Sequence, residues 1–325
     1  MGKKKNNNVM YAGILLLLVL IYAGIKLTDF APEKNFDTGS LAIDTAKVAK
    51  LYISSQAEPG GVYVIKENGK WIVKNDSMQA DADINTVYSM LAELANLSIE
   101  SIVATSPDKW KDYEVTDSSA TEVKVFDADG NVLKDYYIGK FRFKRTETPY
   151  GAGTNGTPYT FVRTKDNDEV YLVKGMLAIT FNRNFNNLRN QMICKLVKSQ
   201  VNNIKFNMPA DSGYSLVKKD STWLINGKDT ADFSKVDAYL NAVAWLSDSH
   251  FDDQFKPGKD AIYTVSFEGD KMAPVTIRIY QKDSLNYVVN SSYNPNAFFV
   301  TLKEHLVNRL VKLVSFFTKK EKKQS

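Results

Sequence analysis

Cysteine and histidine are nearly missing from this chain of 325 residues, which has one of the first and two of the second. The single cysteine, Cys194, excludes an intramolecular disulfide framework and a zinc cage built on thiolates. Two histidines, His250 and His305, leave little for a metal site or catalytic triad, which needs several convergent groups. A charge excess is missing too, once its position is considered. The 42 basic and 37 acidic residues give +5, but Lys3 to Lys5 carry +3 and residues 318–325 another +3, which leaves the body at −1. The basic balance belongs to two tails, so no nucleic-acid partner is implied. With 44% apolar and 24% charged residues the chain is not disordered throughout, and its length suits about two domains.

What is present starts with a long apolar run. Three lysines and three asparagines precede Val9 to Ile25, which carries no charge. Extended through a snorkelling Lys26 to Leu27, a helix here reaches roughly 28 Å, close to the hydrocarbon core of a bilayer. Val9, Leu15, Leu18 and Ile25 supply apolar surface, and Tyr11 and Tyr22 stand near the two ends, where amphipathic rings favour the interface. The run exceeds the apolar region of a cleaved signal peptide, and no clear Ala-x-Ala site follows it. The lysines stay cytoplasmic by the positive-inside rule. These features predict a cytoplasmic basic tail (1–8), an uncleaved single-pass anchor in the lipid bilayer (9–27), a spacer (28–46) and an extracytoplasmic body.

The body repeats a pattern. Val48 to Ile53, Val62 to Ile65 and the Asn68-Gly69-Lys70-Trp71 hairpin signal are answered by Val201 to Phe206, Tyr214 to Val217 and Asp220-Ser221-Thr222-Trp223. An amphipathic helix follows each tryptophan, over Asp83 to Leu97 and over Asp232 to Leu246. The two align without a gap at an offset of 149, with Val87/Val236, Leu91/Leu240, Ala95/Ala244 and Leu97/Leu246 identical. The aspartate pair Asp83/Asp232 suits N-caps better than catalysis. Strands follow both helices. The expected fold class is α+β: an N-terminal transmembrane helix, then two duplicated units of antiparallel sheet covered by a helix, at 47–198 and 199–318, with a basic tail at 319–325.

Chemistry-bearing motifs are few, and each has a plainer reading. Gly151-Ala152-Gly153-Thr154-Asn155-Gly156 has dinucleotide-site spacing but is followed by strand signals instead of a helix, so a loop is expected. Asp127-Ala128-Asp129-Gly130-Asn131 lacks the glycine and glutamate of a calcium loop and reads as a hairpin turn, as does Asp166 to Glu169. His250 lies in Asp248-Ser249-His250-Phe251-Asp252-Asp253 without a second histidine nearby, and Cys194 is flanked by apolar residues as in buried packing. Lys140-Phe141-Arg142-Phe143-Lys144-Arg145 alternates, so a half-buried strand would present Lys140, Arg142 and Lys144 to solvent or to an anionic partner. Thr301 to Thr318 is expected to form an amphipathic helix packed on the second unit, the alternative being a helix lying on the bilayer against anionic headgroups. No catalytic, cofactor-binding or metal residue is assigned. A cleft between the units, with Tyr150, Tyr159 or Tyr293 clustered in it, would mark a binding module for a glycan, lipid or peptide. A hydrolase would require His250 or Cys194 in a pocket.

The single N-terminal anchor, the repeated strand-strand-Gly-x-Trp-strand-helix units and the segment Lys111-Asp112-Tyr113-Glu114-Val115 resemble the bacterial domain-of-unknown-function 4340 family over residues 46–310. The family's Gly-Leu after the tyrosine is here Glu114-Val115. The resemblance supplies no catalytic residues. It implies a non-enzymatic accessory or scaffold role at the bacterial cytoplasmic membrane, beside a gliding-motility-type ABC transporter permease.

Overall fold

The computed structural model describes residues 41–148, 151–258 and 260–318. The expected anchor at 9–27 with its six named residues, the two basic tails and Tyr150 lie outside the described residues. Among the described residues no helix is long and apolar enough to cross a membrane. They form mostly antiparallel sheet with short helices, an α+β arrangement.

The first sheet is built from alternation. In β1 (Lys50–Ser55), Leu51 and Ile53 are fully buried while their neighbours are partly exposed, as a period of two demands. β2 (Glu58–Glu67) turns into β3 (Lys70–Lys74) through Asn68 and Gly69, at φ 49° and 79°, the left-handed pair of a type I′ turn. After β4 (Gln79–Asp81), the Asp83 carboxylate accepts the Thr86 amide at 2.8 Å and starts α1 (Ile84–Ala95). Val87, Met90, Leu91 and Leu94 of α1 pack on Leu51, Val62 and Val64, each burial worth roughly 1.5–3 kcal/mol. β5 (Ser98–Ala104), β6 (Thr121–Phe126), β7 (Val132–Thr148), β8 (Gly151–Thr164) and β9 (Val170–Lys174) complete nine strands in the order β4-β3-β2-β1-β6-β7-β8-β9-β5. Two short helices follow, α2 (Leu177–Phe181) and α3 (Phe185–Leu188).

β10 (Met192–Lys195) leads to the second sheet. β11 (Val201–Asn207), β12 (Tyr214–Lys219), β13 (Thr222–Ile225) and β14 (Asp229–Thr230) precede α4 (Phe233–Val243), capped by Asp232. Hydrogen bonding from Ser234 holds the Asp232 carboxyl below the usual carboxylate range. β15 (Trp245–Ser247), β16 (Tyr263–Gly269), β17 (Val275–Gln281), β18 (Asn286–Ser291) and β19 (Asn294–Leu302) follow. The eight-stranded order is β14-β13-β12-β11-β16-β17-β18-β19, strand for strand that of the first sheet without its β5. The strand after α4 does not rejoin its sheet; β15 pairs with β10. Leu188 still belongs to the first core and Ile193 already to the second, so the chain changes cores between them, ahead of residue 198.

Several expectations are corrected in detail. α1 and α4 stop at Ala95 and Val243, short of Leu97 and Leu246, because Leu246 stands on β15 opposite Cys194. Thr301 to Thr318 is not one helix: β19 runs to Leu302 and three short helical turns follow. Leu306, Leu310 and Phe317 nevertheless pack into the second core. Gly151 to Gly156 is strand rather than loop, paired with β7. Asp127 and Asn131 do close a hairpin turn, through the Asn131 amide on the Asp127 carboxylate at 2.8 Å.

The segment Lys111 to Val115 ends a 3-10 turn over Pro107–Tyr113, and Glu114 adopts φ 59°, ψ 33°. This left-handed position explains the glycine expected there, since a Cβ is strained in that region. Gly139 of β7 lets the turn lie against the sheet; a Cβ there would collide with the Tyr113 carbonyl. Arg163 locks the turn from beneath, its Nε donating to the Val115 carbonyl at 2.6 Å and its guanidinium stacked 3.8 Å from both the Trp110 and Tyr137 ring centroids. The substitution Glu114→Gly is expected to stabilise the protein by up to about 1 kcal/mol, read as a raised urea midpoint; a lowered midpoint would contradict this.

Candidate functional site

The two sheets meet where Arg189 leaves α3. Its backbone forms a bridge with Ala82 at the β4 edge, and the Asn190 amide donates to the Asp81 carbonyl at 2.7 Å. Its side chain goes the other way. The guanidinium donates from both terminal nitrogens to Asp253, at 2.9 and 2.8 Å, and lies 3.5 Å from the Phe251 ring centroid. Phe251 in turn stacks on Phe299 of β19 at 4.9 Å. One residue therefore ties its backbone to the first sheet and its charge to the second. Asn294 of β19 reinforces the join through its side-chain amide on the Asn190 carbonyl at 2.8 Å.

Beside this joint is a cavity of about 220 Å³. Gln79 and Asp81 of β4 form one wall, Asn294 and Asn296 of β19 the opposite one, and Phe185, Arg189 and Asp253 close it. The Arg189 side chain is 4% exposed and that of Asp253 32%. Within that buried guanidinium, Nε has no hydrogen-bond partner. The guanidinium's formal charge is balanced by a bidentate carboxylate, so the cavity meets no free cation from Arg189.

The residues singled out in the sequence lie elsewhere. Lys140, Arg142 and Lys144 stand exposed on β7, with Lys140 Nζ donating to the Asp112 carbonyl. Phe141 and Phe143 are exposed as well, at 38% and 47%, so this stretch is solvated on both faces and not half-buried as expected. The reason is that β6 begins at Thr121, opposite Ile138, so β7 beyond Ile138 keeps only β8 beside it, and β9 ends at Lys174, opposite Tyr159, so from Phe143 outward β8 keeps only β7. Tyr159 is buried on β8, Tyr293 sits partly exposed in the β18–β19 turn, and neither lines the cavity. His250 is exposed, with Nδ1 2.8 Å from Asp248, and Cys194 is fully buried in the second core. Neither lines any of the five cavities described, so the hydrolase reading draws no support from them. Among the described residues no His, Cys, Asp and Glu group is arranged to hold a metal ion.

Sequence reasoning missed Arg189, Asn190, Asn294 and Asn296. Asp253 fell inside the string noted for His250, but its partner is 64 residues away and carries no motif.

Two outcomes follow from this geometry. Asp253→Ala leaves a buried guanidinium without its counter-charge and is expected to cost roughly 2–3 kcal/mol in urea unfolding, below the full penalty of a broken buried pair because Asp253 is partly solvated. Burial pushes the Cys194 thiol up to about 12. At pH 8 it should not react with Ellman's reagent in the folded protein and should react fully in denaturant; rapid labelling of the native state would contradict the burial.

No curated protein and no solved structure matches the chain. The sequence profile described as domain of unknown function (DUF4340) matches residues 71–261, more than half of the chain, and the chain belongs to that family.

Proposed function

We propose that the protein is a non-catalytic accessory or scaffold subunit, held by its apolar N-terminal run in the bacterial cytoplasmic membrane with its body outside the cytoplasm. On this reading it works beside an integral membrane partner of the gliding-type ABC transporter permease class, and the repeated unit arose by duplication. The shared strand order of the two sheets supports duplication.

The observation that carries the scaffold reading is the arm formed by the outer parts of β7 and β8. Beyond Phe143 it projects as a two-stranded ribbon of about six residues per strand, or roughly 20 Å. Leading into and along it, Phe141 and Phe143 alternate with Lys140, Arg142 and Lys144, and Arg145 follows. Exposed aromatic rings in a basic setting suit contact with a membrane protein at the headgroup level, where apolar and anionic groups meet.

A photo-crosslinking residue at Phe143 in intact cells should give a discrete adduct with a polytopic permease, while the same residue at exposed Leu285 of the second unit should not. A chain that stays solitary at Phe143, or a reporter at Ser325 that resides in the cytosol, would overturn the reading.

A further inference from the structure

We propose that the β7–β8 ribbon seats directly on the anionic headgroup layer of a bilayer, with phospholipid itself as its partner. This deepens the accessory reading and rests on the N-terminal anchor which that reading invokes.

The first observation is a charge asymmetry. Residues 140–160 hold four bases, Lys140, Arg142, Lys144 and Arg145, against the single acid Glu147, a net of +3. The rest of the body between the two tails, with 31 basic and 35 acidic residues, carries −4. An anionic surface therefore repels most of the body and attracts this one stretch, which turns the ribbon toward it. Among the described residues no carboxylate pairs with Lys140, Arg142 or Lys144, and their charges are left for an outside partner.

The second is how the ribbon is faced. Phe141 and Phe143 stand opposite Thr160 and Pro158, and Arg142 and Lys144 opposite Tyr159 and Thr157. Alternation puts both rings on one face and these two cations on the other. The Phe143 ring lies against Gly156, where a Cβ would come within 2.7 Å of it. A soluble polyanion would match the cations and leave the exposed rings in water. A bilayer matches both. The ribbon is a single sheet layer, about 10 Å through with its side chains, so the rings reach the acyl boundary while the long basic side chains stay among the phosphates.

The third is where the tether arrives. The Tyr136 hydroxyl of β7 donates to the carbonyl of Leu41, the first described residue, at 2.6 Å. Phe143 is seven residues further along the same strand, roughly 20 Å away. Residues 28–40 separate Leu41 from the expected anchor, and thirteen residues span at most about 45 Å when fully extended. The strand that receives the chain from the bilayer is thus the one that carries the ribbon, and the tether keeps both close to the surface.

The test is fluorescence on the full chain reconstituted into vesicles that contain no permease. Asn155→Cys, at an exposed position of β8 within the ribbon, carries an environment-sensitive nitrobenzoxadiazole label, while the buried Cys194 stays unlabelled. Leu285→Cys, exposed on the second unit, is the control. In phosphatidylcholine vesicles with roughly a third phosphatidylglycerol, the label at 155 should shift to the blue and be quenched by spin-labelled lipid, and the label at 285 should do neither. Both signals should disappear in phosphatidylcholine alone and in about 1 M salt, where the screening length is about 3 Å. Arg142→Gln and Lys144→Gln should each lower the ratio of seated to free ribbon roughly fivefold, and Phe143→Ser roughly tenfold. These side chains are exposed, so their loss leaves the fold intact. A label at 155 that ignores phosphatidylglycerol, or a response unchanged when Arg142→Gln and Lys144→Gln are combined, would overturn the proposal. So would a ribbon that crosslinks to a permease through Phe143 and shows no response to lipid. Flotation with neutral vesicles in high salt reports the anchor separately. A chain that floats but whose label ignores phosphatidylglycerol loses only the lipid contact; one that does not float loses the accessory reading and this proposal together.

Discussion

The Arg189 guanidinium is the charged contact at the join of the two sheets, where the Asn294 amide on the Asn190 carbonyl adds a second tie. Arg189 contributes its backbone to the β4 edge and its charge to Asp253, with the Phe251 ring stacked on the plane between. Arginine suits this role because its planar fork meets both carboxylate oxygens while its faces accept aromatic packing; a lysine would make neither contact as fully. Each half has its own large apolar core, so neither needs the other in order to bury its strands. What the pair supplies is orientation. Buried ion pairs contribute little net stability against well-packed apolar alternatives, and their best-attested use is to specify one arrangement.

The join is continuous because a strand, rather than a free linker, spans it. In the first sheet the strand after the helix, β5, returns to lie beside β9. In the second sheet the corresponding strand, β15, pairs with β10, which begins three residues after Arg189. Met192 faces Ser247 and Lys195 faces Trp245, and Cys194 and Leu246 enter the second core from this small ribbon. The segment joining the halves is thereby committed to the second one almost as soon as it leaves the first. That explains why Cys194 is inert packing: its thiol lies where two pieces of backbone are sewn together.

Much of the architecture was legible from local signals, since those signals act over short separations. Asn68-Gly69 marks a two-residue turn because both positions need positive φ, and Asp83 and Asp232 mark helix starts because free amides follow them. The apolar spacing of Val87, Leu91 and Leu94 faces the sheet as the pattern demands. The failures came where the third dimension decides. Phe141 and Phe143 alternate like core residues, yet nothing in their own sequence records that β6 reaches only Ile138 of β7 and that β9 ends opposite Tyr159. Leu302, Leu306, Leu310 and Phe317 keep helical spacing, but Leu302 remains on an edge strand and the helical turns break between Leu310 and Val314. Arg189 and Asp253 are ordinary surface residue types whose meaning lies wholly in their meeting.

The same divergence of β5 and β15 accounts for the cavity. In the first sheet β9 is covered along its outer side by β5, so that face of the unit is closed. Its counterpart β19 lacks such a strand. Its later residues are screened by the chain around Phe251, through the Phe251–Phe299 bridge and the Val300 amide on the His250 carbonyl at 2.8 Å. Of its first residues, Pro295 and Asn296 are exposed, while Asn294 and Ala297 are buried, and Asn294, Asn296 and Ala297 line the cavity together with Gln79 to Asp81. The two edges are not paired with each other: the end of β4 bonds to the Leu188–Asn190 segment, and the Pro295 and Ala297 carbonyls of β19 accept from the Asn290 side chain, so each edge is covered locally. Asn290 and Asn294 do the covering, their amides donating to the Pro295, Ala297 and Asn190 carbonyls. The hole follows from moving one strand from the sheet to the joint, which leaves two edges that are closed by short local bonds and side-chain amides instead of by a ladder.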